Sequence, residues 1–72
     1  MKPLTTTVSG HEAYGVSFDR AEETYGPILW CFDSVGDPST DPTKGRWCFM
    51  GHLIFWEESD RTAFLMRFGL TD

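Results

Sequence analysis

The shortness of the chain limits it to one hydrophobic core. A chain of 72 residues buries only about 60% of the surface that its unfolded form exposes, so a second domain has no room. Aromatic residues make up 15% of the sequence, and each ring removes on the order of 150–250 Å² from water when it is buried. We therefore expect a single domain over residues 1–72, with residues 1–8 flexible and a core built mainly from rings.

The net charge of the chain limits the kinds of partner that it can bind. It carries 11 acidic and 6 basic residues, a formal net charge of −5. Affinity for a phosphate backbone comes from Lys and Arg, so direct binding to nucleic acid is disfavoured. The same charge can complement a basic protein surface, including one that holds nucleic acid. Solubility alone also explains an acidic chain.

No targeting or membrane segment is indicated. The first residues lack the apolar run of a secretory signal. The longest uncharged stretch, Trp47 to Trp56, is far shorter than the roughly 20 residues that a spanning helix needs. We therefore expect a cytoplasmic protein with no membrane partner.

The N-terminal third predicts a helix. Ser9 and Glu12 have the spacing of a capping box, in which each side chain satisfies a backbone amide of the first turn. Residues of one stripe then recur at spacings of three and four: His11, Tyr14, Phe18, Ala21 and Tyr25. This spacing is typical of an amphipathic helix. Gly15 disfavours a continuous helix, which leaves open a start nearer Ser17.

A helix end, a strand and a loop are predicted next. Gly26 followed by Pro27 predicts the end of the first helix. The short bulky run Ile28–Phe32 favours a strand. Residues 36–45 are dense in Pro, Gly, Asp and Ser, which is typical of a loop.

The C-terminal part predicts two strands and a helix. The strands are expected at Arg46–Phe49 and His52–Trp56, with Gly51 as a bulge or bend between them. A helix is expected over Ser59–Phe68, capped by Ser59 and ended by Gly69. The predicted fold class is α+β: a two- or three-stranded antiparallel sheet with an N-terminal and a C-terminal helix packed on one face.

The chemistry-bearing side chains do not predict an enzyme. Four side chains of the kind that binds zinc are present: Cys31, Cys48, His11 and His52. They lack the paired spacing of structural zinc sites. Cysteines in apolar segments behave as small hydrophobes, so we expect two free thiols, no metal, no cofactor and no catalytic residue.

A binding surface is expected where the sheet is left uncovered. Two short helices cover one face of a sheet, so an apolar second face indicates an interface. Trp is also the residue most enriched at binding hot spots. The predicted partner-binding residues are Trp56, Ile54, His52, Trp30, Glu22 and Glu23, the last two as a charge pair that steers association.

The C-terminal half resembles small proteins of tailed phages and prophages. The resemblance is carried by Arg46-Trp47, the segment Ile54–Trp56 and the segment Ser59–Gly69, together with Tyr25–Pro27. In those proteins an aromatic strand is followed by an acidic cap, an Asp-Ala pair, a Phe and a closing aromatic-Gly. Thr62 stands here where the pattern has Asp. The resemblance implies a phage origin and no specific activity.

Two functional hypotheses follow from this sequence. The leading one is a small acidic phage-encoded protein that inhibits or modulates a host protein, such as a defence or nucleic-acid-handling protein, by docking on it. The alternative is a structural subunit, homo-oligomeric or virion-associated, whose second sheet face is buried by another copy in a homodimer. The two differ in the mass that the pure protein shows in solution.

Overall fold

The computed structural model describes residues 2–20 and 22–68. These residues form four strands and two helices: β1 Lys2–Val8, β2 His11–Ser17, α1 Tyr25–Ser34, β3 Trp47–Phe49, β4 Leu53–Phe55 and α2 Glu58–Phe68. The strands make one antiparallel sheet in the order β1-β2-β4-β3. The α+β class is confirmed, and the sheet has four strands where the sequence predicted two or three.

The first two strands replace the helix that was predicted from Ser9. Ser9 and Gly10 have positive φ angles of 51° and 82°, the conformation of a two-residue turn that matches the twist of a hairpin. Lys2–Val8 therefore pairs with His11–Ser17 along its whole length. The prediction of a helix here is wrong for the described residues.

The apparent capping box has a different role in the hairpin. Glu12 and Tyr14 are two residues apart on β2, so their side chains lie on the same side of the strand. The Tyr14 hydroxyl donates a hydrogen bond to Glu12 Oε1 at 3.1 Å, and Glu12 caps no helix. Ala21, which belonged to the predicted helical stripe, lies outside the described residues.

Helix α1 occupies the segment that was predicted as the strand Ile28–Phe32. Pro27 lies in its first turn, where the missing N–H would have had no partner within the helix. The N–H of Gly26 donates to Glu23 Oε1 at 2.8 Å, which satisfies one more amide of this turn. The Gly-Pro pair therefore begins a helix instead of ending one.

The predictions for the C-terminal part are confirmed to within one residue at each described boundary. Strands β3 and β4 correspond to the two predicted strands, and Gly51 lies in the turn between them with φ 76°. Helix α2 begins at Glu58, so Ser59 lies in its first turn and is not its cap. Gly69 lies outside the described residues.

Both helices pack on one face of the sheet, although the first is the segment Tyr25–Ser34 and not the predicted N-terminal helix. The buried core of this face contains residues of β2, β3, β4 and both helices: Val16, Cys31, Trp47, Leu53, Phe55 and Phe64. Phe64 lies at its centre and contacts the rings of Phe18, Trp30, Phe55 and Phe68 at centroid distances of 6.5, 5.7, 5.6 and 4.8 Å. Three of the six buried residues of this face, Trp47, Phe55 and Phe64, are aromatic, so rings form a large part of this core.

Two arginines attach α2 to the rest of the fold. Arg46 forms a two-pronged ion pair with the buried Asp60, with Nε 3.0 Å from Oδ2 and Nη2 bonded to Oδ1. Arg61 donates from Nη1 to the Leu4 carbonyl at 2.8 Å and stacks over the Tyr14 ring at 5.3 Å. The first pair holds α2 to the segment before β3, and the second arginine holds α2 to β1.

The central position of Phe64 makes the stability of the protein depend on it. We expect Phe64→Ala to lower the free energy of unfolding by about 3–5 kcal/mol, since it empties a buried ring site. In a domain of this size that is close to the whole stability. Urea unfolding followed by tryptophan fluorescence measures the change. Met66→Ala is the matched control, because Met66 is on the same helix and 79% exposed; equal midpoints for the two variants would contradict this packing.

Candidate functional site

The second sheet face does not carry the open surface that the sequence predicted. Its buried cluster consists of Ala13, Cys48 and Ile54, with Val8 and Trp56 packed against it. Ile54 is only 2% exposed. The centre of that face is therefore not open, because Val8 of the hairpin and Trp56 pack against it.

The long loop, residues 35–46, closes around the β3 edge of the sheet. Trp47 Nε1 donates to the Gly36 carbonyl at 2.6 Å, and Trp56 Nε1 donates to the Ser39 carbonyl at 3.2 Å. The Ser39 N–H donates to the Trp47 carbonyl at 2.8 Å. Trp56 is thus half-buried and anchors the loop, and its indole N–H already has an acceptor.

The other predicted partner-binding residues lie in separate places. His52 is exposed in the turn between β3 and β4. Trp30 is half-buried between the helices, with its ring 5.7 Å from that of Phe64. Glu22 and Glu23 precede α1, where Glu22 Oε1 accepts the Asp19 N–H at 2.8 Å. Trp30 and Trp56 lie on opposite faces of the sheet, so the predicted set does not form one surface.

The thiols and imidazoles do not converge either. Cys31 belongs to the core of the helix-covered face and Cys48 to the cluster on the other face; both are free. Within residues 2–20 and 22–68, no three His, Cys, Asp or Glu side chains could hold a metal ion. Burial, followed by the charge of Asp60, raises the pKa of Cys31 to about 12. Burial also raises the pKa of Cys48, so neither thiol is a ready nucleophile at neutral pH.

An apolar groove lies between α1 and β3. It has a volume of about 360 Å³ and is lined by Ile28, Phe32, Pro38, Ser39, Thr40, Trp47, Cys48 and Phe49. The Phe32 and Trp47 rings meet edge to face at 5.2 Å between centroids. This contact joins the helix to the strand within the groove lining, to which Pro38, Ser39 and Thr40 of the loop also belong.

Large apolar side chains are exposed at this groove. Phe32 is 48% exposed, Phe49 45% and the adjacent Met50 43%. Leu29, 48% exposed, lies one turn before Phe32 on α1 and therefore on the same side of the helix. Contiguous exposed apolar side chains on a small domain are typical of an interaction site. We call Leu29, Phe32, Phe49 and Met50, together with the groove, the α1–β3 surface.

The charges beside the α1–β3 surface are mostly acidic. The residues that line the groove carry no charged side chain. Asp33 directly follows Phe32 in the sequence, Asp37 directly precedes Pro38, and both are exposed. Arg46 precedes Trp47 but its guanidinium is engaged by Asp60. Lys44 lies with Asp37 in a separate polar depression of the loop. Asp33 and Asp37 are therefore acidic neighbours of the surface in the sequence, and Asp37 shares its depression with Lys44.

The sequence interpretation missed this surface because it assigned Ile28–Phe32 to a strand. Ile28, Cys31 and Val35 follow a helical spacing of three and four, and all three pack into the core of the helix-covered face. A helix with this spacing places Leu29 and Phe32, three residues apart, next to each other at the margin of the buried stripe. No sequence pattern indicates that Phe49 and Met50 are exposed, because the exposure of residues at a strand end depends on the sheet around them.

The chain matches no protein-family model, no curated protein and no solved structure. No helix in the described ranges is long and apolar enough to cross a membrane. A function for this chain is therefore inferred from the chemistry of its own residues.

The buried Cys31 thiol makes stability depend on alkaline pH. Its pKa is about 12 in the folded protein against an ordinary value of 9.0, so above pH 9 the unfolded chain loses the thiol proton while the folded chain keeps it. Because the folded pKa is the higher one, stability is at its full value below pH 9 and falls as the pH rises from 9 toward 12. Urea midpoints at pH 8, 9.5 and 10.5 measure this loss.

The control for this pH dependence is Cys31→Ala. This variant removes the titrating thiol and therefore lacks the part of the alkaline loss that comes from it. If the two proteins lose stability in parallel above pH 9, the Cys31 thiol is not protected as described.

Proposed function

We propose that this chain is a non-enzymatic binding protein that docks on another protein through the α1–β3 surface. The observation that carries the proposal is the exposure of Phe32 and Phe49 on the two sides of an apolar groove. Aromatic side chains at the rim of a pocket provide a large contact area, and such residues dominate the energy of protein interfaces.

The proposed partner presents an apolar anchor with basic neighbours. Asp33 and Asp37 lie next to the groove in the sequence, and the chain has a net charge of −5. Complementary charges accelerate association and exclude acidic partners. Direct binding to nucleic acid is not proposed, because the phosphate backbone would be repelled by the same charges.

A host protein with a basic, nucleic-acid-binding surface has this chemistry. A small acidic chain that covers such a surface would inhibit or modulate its target by occupying it. This form of the proposal, a phage-encoded inhibitor, depends on the resemblance of Arg46–Gly69 to phage proteins and on the acidity of the chain. The docking proposal itself depends only on the α1–β3 surface.

Selection of random peptides on the immobilised protein tests the docking proposal and does not require the partner to be identified first. We expect the enriched peptides to carry one or two large apolar residues flanked by Lys or Arg. Phe49→Ala should weaken the binding of a selected peptide by roughly 2 kcal/mol or more, the range of a hot spot. Fluorescence anisotropy of the labelled peptide at low and high salt measures this change.

Met66→Ala provides the matched control, because it removes an exposed apolar side chain of α2 that does not line the groove. It should leave peptide affinity unchanged, and higher salt should weaken binding to the parent protein. Enrichment of acidic peptides, or equal affinities for Phe49→Ala and the parent, would exclude the α1–β3 surface as the docking site.

A further inference from the structure

The outer edge of the sheet at β1 presents backbone groups that have no partner within residues 2–20 and 22–68. The two-residue turn makes Val8 and His11 a hydrogen-bonded pair. In an antiparallel ladder, hydrogen-bonded pairs alternate with pairs that are not hydrogen-bonded. The backbone groups of Lys2, Leu4, Thr6 and Val8 therefore bond to β2. The backbone groups of Pro3, Thr5 and Thr7 then point away from the sheet. Within the described part of the chain, no hydrogen bond reaches the N–H or C=O groups of Thr5 and Thr7.

The opposite edge of the sheet is protected. Strand β3 has only three residues. The Trp47 carbonyl, which points outward from this edge, already accepts a hydrogen bond from the Ser39 N–H. Strand β1 has seven residues, a length of about 23 Å at 3.3 Å per residue. Lys2 and Pro3 are residues that commonly discourage pairing at an edge, but they affect only its first two positions. The sheet is therefore closed at β3 and open along most of β1.

We infer that β1 pairs antiparallel with β1 of a second copy of this chain, with the two-fold axis at Thr5. In this register, Thr5 lies opposite Thr5 of the second copy, and Pro3 lies opposite Thr7. Each Thr5 N–H then donates to the other Thr5 carbonyl. Each Thr7 N–H donates to a Pro3 carbonyl. The proline lacks an N–H, so the register leaves only the Thr7 carbonyls without a strand partner.

The side chains of β1 favour a second copy as the occupant. Threonine and valine are strong strand formers, and Thr–Thr pairs across an antiparallel ladder are favourable. The other face of the joined strands brings Leu4 opposite Thr6. Lys2 is the one charged residue of β1, so the contact itself is free of the acidic residues that give the chain its charge. A closed two-fold pair also leaves no further edge at β1.

This association is independent of the proposed docking function. Strands β1 and β3 are the two opposite edges of the sheet, so the dimer would present both α1–β3 surfaces. A single strand edge buries less than the roughly 800 Å² per partner of a standard interface. The dimer is therefore expected to be weak, and its population should increase with protein concentration and with salt, which screens the repulsion between two acidic chains.

Two measurements over protein concentrations from about 10 µM to about 1 mM test the inference: sedimentation velocity and amide hydrogen exchange followed by NMR. We expect the mass to rise toward that of a dimer over this range. The Thr5 and Thr7 amides should exchange rapidly at the low concentration and become protected at the high one. The Thr6 amide, which is bonded to β2, should be protected at both. A protein that stays monomeric at the highest concentration would overturn the inference.

Variants at Thr5 identify the edge that pairs. Thr5→Pro removes the outward N–H without removing a bond to β2, and prolines are tolerated at such edge positions. The substitution removes this bond from both copies. Because each bond contributes about 1 kcal/mol, the dissociation constant of the dimer should rise roughly thirty-fold. Thr5→Val keeps the N–H and should dimerise like the parent. Circular dichroism checks that each variant is folded.

A second substitution keeps the test decisive if Thr5→Pro does not fold. Thr5→Lys places two like charges directly opposite each other in the dimer, which is destabilising, while in the monomer the side chain remains at the exposed edge. It should shift the protein toward monomer, and more strongly at low salt. Dimers of Thr5→Lys that are as stable as those of the parent would place the self-association elsewhere.

Discussion

The aromatic cluster around Phe64 is the contact on which the other elements depend. Its ring meets Phe18 after β2, Trp30 of α1, Phe55 of β4 and Phe68 of α2. In a chain this short, a few rings must supply most of the buried apolar area. Both helices pack against this cluster, on the same face of the sheet. The orientation of α1, and with it the exposure of Phe32, follows from this packing.

The tryptophans determine how the long loop shapes the proposed binding surface. The indoles of Trp47 and Trp56 donate to the Gly36 and Ser39 carbonyls, so the loop is held against the β3 edge. This arrangement covers one sheet edge and closes one side of the apolar groove. Two of the three tryptophans thus act through their N–H groups as well as their rings. A proposed docking surface at β3 and a proposed pairing edge at β1 are left on opposite sides of one small sheet.

The accuracy of the sequence interpretation differs between the two halves of the chain. From Arg46 onward, strands, turn and helix were predicted to within one residue, because alternation, Gly51 and the acidic first turn of α2 all favour the same elements. Before Arg46 the local signals disagree. The stripe from His11 to Tyr25 has helical spacing, yet Ser9-Gly10 is also a hairpin turn, and Ile28–Phe32 is too short for its period to distinguish strand from helix.

The sequence by itself determined the α+β class, the contribution of rings to the core, the acidity and the loop over residues 36–45, since these follow from composition and from strong local turn and helix signals. Only the tertiary structure decided that the N-terminal third is a hairpin, because pairing of β2 with β4 outweighs local helical spacing. The same holds for the candidate site. Phe32 and Phe49 are far apart in the sequence, and the packing of α1 beside β3 alone brings them to one groove.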